Sequence, residues 1–411
     1  MGEYQDDELS ADSEDEVGML TDVPLPRIER IEISGYRPFS TFVASPGPLT
    51  VLIGANASGK SSLFDALRLL TYAAQSPLPP EIDPRLGTSA ALFHAGGPPR
   101  IDLGIRTQLA GRSLRYEVSV EGPVGTPRIA RELLATAPTD PEAKPHAFLD
   151  FHYGTGRVAA SEDAVRTPQW TMSPNELALR RALFPDLDVP AKFQGFVSSW
   201  RFYGDIDVSP GAATRRPAYV DEFAVPAEDG GNLSAVLSSL FLEHPDAWGE
   251  LETALRSAIP GFESITVKPR GAKGMVIGVW RERGVKDELT LVDLSDGTLR
   301  LLWWLALAFS PKLPPVVCID EPELGLHPRV LPILAGAFKL ASARSQLLIA
   351  THSPHFLSQF ELEDIAVMRK EDGRARFVRP ATSDALRREV AEIGGEAIAK
   401  LFLSEELEVL P

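Results

Sequence analysis

Apolar and polar residues alternate along Arg27-Ile28-Glu29-Arg30-Ile31-Glu32-Ile33, the two-residue period of a strand with one buried face. Gly35-Tyr36-Arg37-Pro38-Phe39 breaks the alternation, and Thr41-Phe42-Val43 and Leu49-Thr50-Val51-Leu52-Ile53 resume it, so residues 27–53 predict a β-meander. From Ser62 to Leu70 the apolar residues fall at helical spacing, and a helix is expected to run to about Ala74. Ile101–Thr107 and Leu114–Val120 alternate on either side of Ala110-Gly111-Arg112, a hairpin signal. Leu233–Leu242 and Trp248–Ala258 predict amphipathic helices, the second stopped by Pro260-Gly261. Ile265–Val267, Met275–Trp280 and Leu289–Val292 read as strands. Pro315-Val316-Val317-Cys318-Ile319 and Leu347-Leu348-Ile349-Ala350 are apolar throughout, as strands buried on both faces are.

Residues 76–100 and 121–225 show no lasting period. The first is rich in Pro and Gly and reads as loop. The second holds a helical piece from Pro174 to Phe184 and an aromatic cluster of Phe193, Phe196, Trp200, Phe202 and Tyr203. A packed satellite core explains the cluster better than a base-stacking platform, because no glycine–aromatic nucleic-acid motif accompanies it. No internal repeat or sustained heptad occurs.

Composition changes this picture in three ways. The chain has 411 residues and 44% hydrophobic residues, enough for several domains or one large head with an insertion. Net charge is −16, and nine acidic residues stand in residues 1–22 with no Lys or Arg among them. Residues 1–25 are therefore expected to be a disordered acidic tail, and the balance argues against a general nucleic-acid binder. The single cysteine, Cys318, lies in an apolar run and is read as a small buried hydrophobe in a reducing compartment. No signal peptide is visible, and Leu301–Phe309, the longest apolar run, is too short to span a bilayer. The protein is expected to be cytoplasmic.

The chemistry concentrates at Gly54-Ala55-Asn56-Ala57-Ser58-Gly59-Lys60-Ser61, which fits GxxxxGK[ST] between a strand and a helix that continues from Ser62. Glycines there let successive backbone N–H groups turn inward on phosphate oxygens. Lys60 would reach the β- and γ-phosphates of ATP, and Ser61 would offer its hydroxyl to Mg²⁺. Downstream, the apolar run to Ile319 ends in Asp320-Glu321, at the carboxyl end of a strand, where open α/β sheets bind ligands. Asp320 would hold Mg²⁺ with Ser61, directly or through water, and Glu321 would act as general base on the attacking water. Leu347–Ala350 likewise ends in Thr351-His352, and His352 would sense the γ-phosphate or the water. Ser295-Asp296-Gly297 opens a helical run and offers an anion site, although in isolation an ordinary capping segment with Ser295 as N-cap explains it better.

The order of these stretches resembles the ABC-type ATPase heads, and within them the RecF/SMC/OLD-like group. Ile31–Phe39 resembles that group's opening strand and aromatic-Arg turn. Gly54–Ser62 followed by Asp65-Ala66 resembles its phosphate loop with a trailing Asp-Ala. Glu321-Pro322-Glu323 through Leu326-His327-Pro328 resembles the E-P-E…L-H-P run of OLD and predicted RecF-like AAA-family ATPases. The resemblance is strong over about residues 27–75 and 285–355.

It implies an α/β P-loop NTPase head with a mixed central sheet, an antiparallel β-subdomain and an inserted helical lobe. Residues 26–120 and 260–411 would form the head, and 121–259 the inserted lobe. It also implies a homodimer with ATP held between the phosphate loop of one copy and Ser295, Asp296 and Gly297 of the other, with Arg37 near the phosphates. Two departures narrow the expectation. Leu-Ser-Asp-Gly-Thr stands where transporter ATPases carry L-S-G-G-Q, and no glutamine loop is identifiable in residues 76–130. About 230 residues without heptads separate Ser61 from Ser295, which excludes a long coiled-coil arm, and roughly 60 residues after His352 leave no room for an OLD nuclease domain. The expected protein is a stand-alone Mg-ATP-dependent head that controls a separate effector protein or DNA, in DNA repair or phage defence, with no membrane partner. A nucleotide-sensing scaffold and a transporter ATP-binding subunit are the alternatives. Direct DNA binding stays open through Arg215-Arg216, through Lys268, Arg270 and Lys273, and through Arg369-Lys370 with Arg374 and Arg376, each of which also reads as a solvated face.

Overall fold

The computed structural model describes residues 25–78, 99–122, 127–137, 140, 143–159, 169–182, 187–222, 224–371, 373–384, 386–388, 398 and 400. The acidic tail before Leu25 and most of the 76–100 loop lie outside the described residues.

A six-stranded sheet forms the centre, in the order β10 (Arg201–Tyr203), β15 (Val316–Asp320), β16 (Gln346–Ala350), β3 (Leu49–Ile53), β17 (Ile365–Glu371) and β18 (Arg374–Val378). The first five run parallel and β18 pairs antiparallel with β17, so the sheet is mixed. Alternate residues of each inner strand face different cores. Val51, Ile53, Val317 and Ile319 join one hydrophobic cluster, while Leu52, Val316 and Cys318 join the other. That two-sided burial is why these strands read as unbroken apolar runs. The Cys318 thiol is fully buried, and burial pushes its pKa up.

One face is covered by α1 (Lys60–Ala73), α2 (Asp188–Ser198) and an eight-stranded sheet in the order β2 (Phe39–Ala44), β1 (Arg27–Tyr36), β4 (Arg100–Leu109), β5 (Arg112–Glu121), β6 (Arg128–Thr136), β7 (Ala147–His152), β8 (Thr155–Val158) and β9 (Gln169–Thr171). Every neighbouring pair in it is antiparallel. The other face packs against α3 (Leu233–Glu243), α4 (Pro245–Ala258), α5 (Asp296–Phe309) and α6 (Leu331–Ala341). A small sheet lies beyond them, with β13 (Met275–Glu282) between β11 (Ala218–Tyr219) and β12 (Phe262–Pro269), and β14 (Leu289–Thr290) also paired to β13.

The interval 121–259 contributes more than helices. Strands β6–β9 extend the antiparallel sheet directly from β5, and β10 is the edge of the central sheet. Among the described residues of the interval, the α-helices are α2, α3 and α4.

Three local readings need correction. The expected helix at 174–184 is a turn with a 3-10 segment at Leu179–Arg181, and residues 183–186 lie outside the described residues. The fully buried Glu132 carboxylate explains it, accepting from the amides of Ala178 and Leu179 at 2.5 and 2.9 Å and from the Tyr116 hydroxyl at 2.8 Å. The expected strand at 289–292 stops at Thr290, because the Asp293 carboxylate accepts from the amide and hydroxyl of Thr290 and closes a turn. The aromatic cluster is no satellite: Phe193, Phe196, Trp200 and Phe202 belong to the main core on the α1 side, and Tyr203 to the opposite one. All five are buried, which leaves no ring face for a base.

Candidate nucleotide-binding site

Strands β15, β16 and β3 are neighbours and run the same way, so their carboxyl ends open on one edge of the sheet. Leaving β3, the loop from Gly54 to Gly59 turns sharply into α1. Gly54 has φ +143°, and a Cβ there would lie 1.9 Å from the Met368 carbonyl oxygen, so no other residue fits. Gly59 has φ +113°, and its own Cβ would press on the Phe39 ring at 3.0 Å. Helix α1 begins with no side-chain cap and no acidic residue in its first turn. Its first amides and the positive end of its dipole therefore face the loop, the arrangement that binds phosphate. Lys60 is buried, and its Nζ donates to the carbonyls of Gly54 at 2.6 Å and Ala55 at 3.3 Å.

Asp320 ends β15 with its Oδ2 accepting from Ser61 Oγ at 3.5 Å. Two adjacent ligands of an octahedral Mg²⁺ stand roughly 2.9 Å apart, so this pair fits the ion after a slight approach or with one link through water. Burial pushes Asp320 above the usual carboxylate range and the Glu321 carboxylate adds to it, against Lys60 and Ser61. A cation there would relieve both effects.

Glu321 takes φ +49°, a left-handed conformation uncommon for a residue with a side chain. Its amide donates to the Ala350 carbonyl at 2.9 Å, and its carbonyl accepts from the Leu324 amide at 3.1 Å. The turn leaves the Glu321 carboxylate partly exposed, with Oε1 at 3.9 Å from His352 Nε2. Beneath them Thr351 Oγ1 donates to Glu323 Oε1 at 2.5 Å and accepts from the Ser353 amide at 3.0 Å. Glu323 thus ties the end of β15 to the end of β16. Burial raises its pKa.

A cavity of about 590 Å³ joins these groups. Its wall is formed by residues 56–62, Asp320, Glu321 and His352, together with Pro38 and Lys370. The phosphate loop, Asp320, Glu321 and His352 therefore share one space. In sequence Lys370 reads as part of a solvated basic group. The pairing of Val367 with Ile53 carries β17 past the phosphate loop and brings Lys370 to the cavity, and no local pattern announces that register. The contact between Glu323 and Thr351, 28 residues apart, has no local sequence signal either.

Arg37 and the Ser295–Gly297 segment do not line this cavity. Arg37 pairs with Asp65 on α1 and lies against the Tyr36 ring, and the cavity wall holds its neighbour Pro38 instead. Ser295 caps α5, its Oγ accepting from the Thr298 amide at 3.2 Å, and Gly297 backs onto Gly325, whose carbonyl a Cβ would meet at 3.2 Å. Neither residue, nor Asp296, borders the phosphate-loop cavity of the same chain.

A family model described as an AAA domain, putative AbiEii toxin, type IV TA system, matches residues 49–125 and 198–358, which include every part of the cavity except Pro38 and Lys370. No curated protein sequence matches the chain. Among solved structures, the chain is similar to an Smc head bound to the C-winged helix domain of ScpA. The TM-score is 0.52 at 15% identity, over 85% of this chain and 97% of that one. It is equally similar to the Smc head with an extended coiled coil bound to the C-terminal domain of ScpA from Pyrococcus furiosus. There the TM-score is 0.52 at 13% identity, over 90% and 99%. The fold is that of an ABC/SMC-like P-loop ATPase head, as the sequence resemblance implied.

Proposed function

The chain belongs to the AAA-domain family whose model covers its site, and on that premise we propose that it is an Mg-ATP-dependent head that closes as a homodimer around ATP, hydrolyses it and thereby controls a separate effector or DNA. The observation that carries this reading is the convergence of the phosphate loop, Asp320, Glu321 and His352 on one cavity at the ends of three adjacent parallel strands.

The roles follow from position. Lys60 Nζ leaves the Gly54 and Ala55 carbonyls for the β- and γ-phosphate oxygens, while the loop amides from Asn56 to Ser62 cradle the rest. Ser61 and Asp320 would hold Mg²⁺, which would neutralise charge on the phosphates when bound. Glu321 takes the proton of the attacking water, and His352 orients that water or the γ-phosphate. Ser295, Asp296 and Gly297 stand away from the cavity of their own chain, as segments that complete a partner copy's site would.

The family description names a toxin of a toxin–antitoxin system; the pathway we propose for the head and its separate partner is phage defence or DNA repair. No helix among the described residues is long and apolar enough to cross a membrane. A nucleotide-sensing scaffold would not need Glu321 held in a strained conformation beside His352. Steady-state phosphate release decides between hydrolysis and sensing. Glu321→Gln is expected to slow turnover roughly 10²-fold or more, and Lys60→Ala to abolish nucleotide binding. Turnover by Glu321→Gln within a few-fold of the parent would remove the general-base assignment.

A further inference from the structure

Arg215 lies on the connector that leaves β10 at the edge of the central sheet, in a 3-10 turn at Ala213–Arg215. In sequence it reads as a surface cation. It is instead only 4% exposed. Its guanidinium donates from Nε to the Val208 carbonyl at 2.8 Å and from Nη2 to Asp296 Oδ1 at 2.6 Å. Its Nη1 donates to the carbonyls of Leu291, Val292 and Leu294 at 3.1, 3.0 and 2.7 Å. A second ion pair, Asp205 with Arg300, ties the same connector to the next turn of α5.

We propose that Arg215 is a positioning residue for the composite nucleotide site: it shapes the segment from Leu291 to Asp296 and neutralises the Asp296 carboxylate, so that Ser295 and Gly297 can receive the γ-phosphate held by a second copy. This rests on the dimer reading above. The segment needs an outside support, because β14 ends at Thr290 and α5 begins at Asp296. Three of its carbonyls converge on one guanidinium, and only a planar five-donor fork can satisfy them together with a carboxylate. Asp296 also needs a counter-charge. Its side chain is 69% exposed in the first turn of α5, beside Ser295, and an unneutralised carboxylate there would repel an incoming phosphate.

The test uses the full chain carrying Glu321→Gln, with Arg215→Met, Arg215→Lys and Asp296→Asn added singly, and the Met and Asn changes combined. A fluorescent ATP analogue reports nucleotide binding, light scattering reports ATP-driven dimerisation, and thermal melting reports folding. Arg215→Met is expected to leave nucleotide affinity within about twofold while weakening dimerisation about tenfold or more, with Arg215→Lys between it and the parent. Asp296→Asn alone is expected to strengthen dimerisation about twofold or more, and to recover part of the loss caused by Arg215→Met. Undiminished dimerisation in Arg215→Met overturns the proposal. So does tenfold weakening by Asp296→Asn, an exposed change that spares the core and so decides the matter even where the Arg215 variants melt. If Glu321→Gln alone stays monomeric in Mg-ATP, the dimer reading fails first and takes this proposal with it.

Discussion

The Glu321 amide donates to the Ala350 carbonyl across 2.9 Å, which joins the ends of β15 and β16 just where the chemistry is placed. The bond fixes Glu321 at φ +49° and turns its carboxylate toward His352. A side chain in the left-handed region costs roughly 1–2 kcal/mol, so stability is given up at this position for the direction of one carboxylate. Glu321→Gly should therefore melt no lower than the parent, although it loses a side chain, and should show no turnover. A clear fall in melting temperature would mean that the Glu321 side chain stabilises the loop and that no strain is stored there.

Lys370 faces the same cavity as Lys60 from the strand on the other side of β3. A second ammonium near the phosphates should strengthen nucleotide binding without taking part in bond cleavage. Lys370→Ala is expected to weaken Mg-ATP binding about tenfold, with a smaller effect on kcat, read by nucleotide titration and phosphate release. A salt-dependent loss of DNA binding with unchanged nucleotide affinity would return Lys370 to the surface cations.

Glu132 offers a test of folding that is independent of nucleotide. Burial pushes its carboxyl up to about 7 from 4.5, against hydrogen bonds from Leu179, Ala178 and Tyr116 that lower it. A carboxyl raised on folding binds more protons in the folded state, so its contribution is most favourable below 4.5 and is lost as pH rises to about 7. Relative to Glu132→Gln, the parent should lose on the order of 1–3 kcal/mol between pH 4.5 and pH 7, and little more above it. Parallel stability curves for the two proteins across that range would show that Glu132 is ionised in the folded state throughout.

How far the sequence could be read depended on the range of the interactions. The phosphate loop and the Asp320-Glu321 pair were legible because a buried strand and its terminal chemistry are contiguous in sequence. His352 followed for the same reason. The 174–184 stretch misled because its spacing is helical, while Leu177, Ala178, Leu179 and Ala182 are all buried and a carboxylate from β6 takes the amides that a helix would have used. Strand β10 has only three residues and shows no period of its own, so its place beside β15 was invisible, and with it the connector that carries Arg215. Arg215 reaches partners 76 to 81 residues away, and Lys370 depends on the register of β17 against β3. No short motif encodes either contact. A place for Arg37 near the phosphates rests on resemblance alone, and here its guanidinium pairs with Asp65.

The central claim is that ATP closes two copies of this head on each other. Light scattering of Glu321→Gln with and without Mg-ATP tests it most directly. A monomer is expected without nucleotide and a doubled mass when Mg-ATP is added, with Lys60→Ala in the same background remaining monomeric. A mass that stays monomeric at saturating Mg-ATP, with nucleotide demonstrably bound, would contradict it.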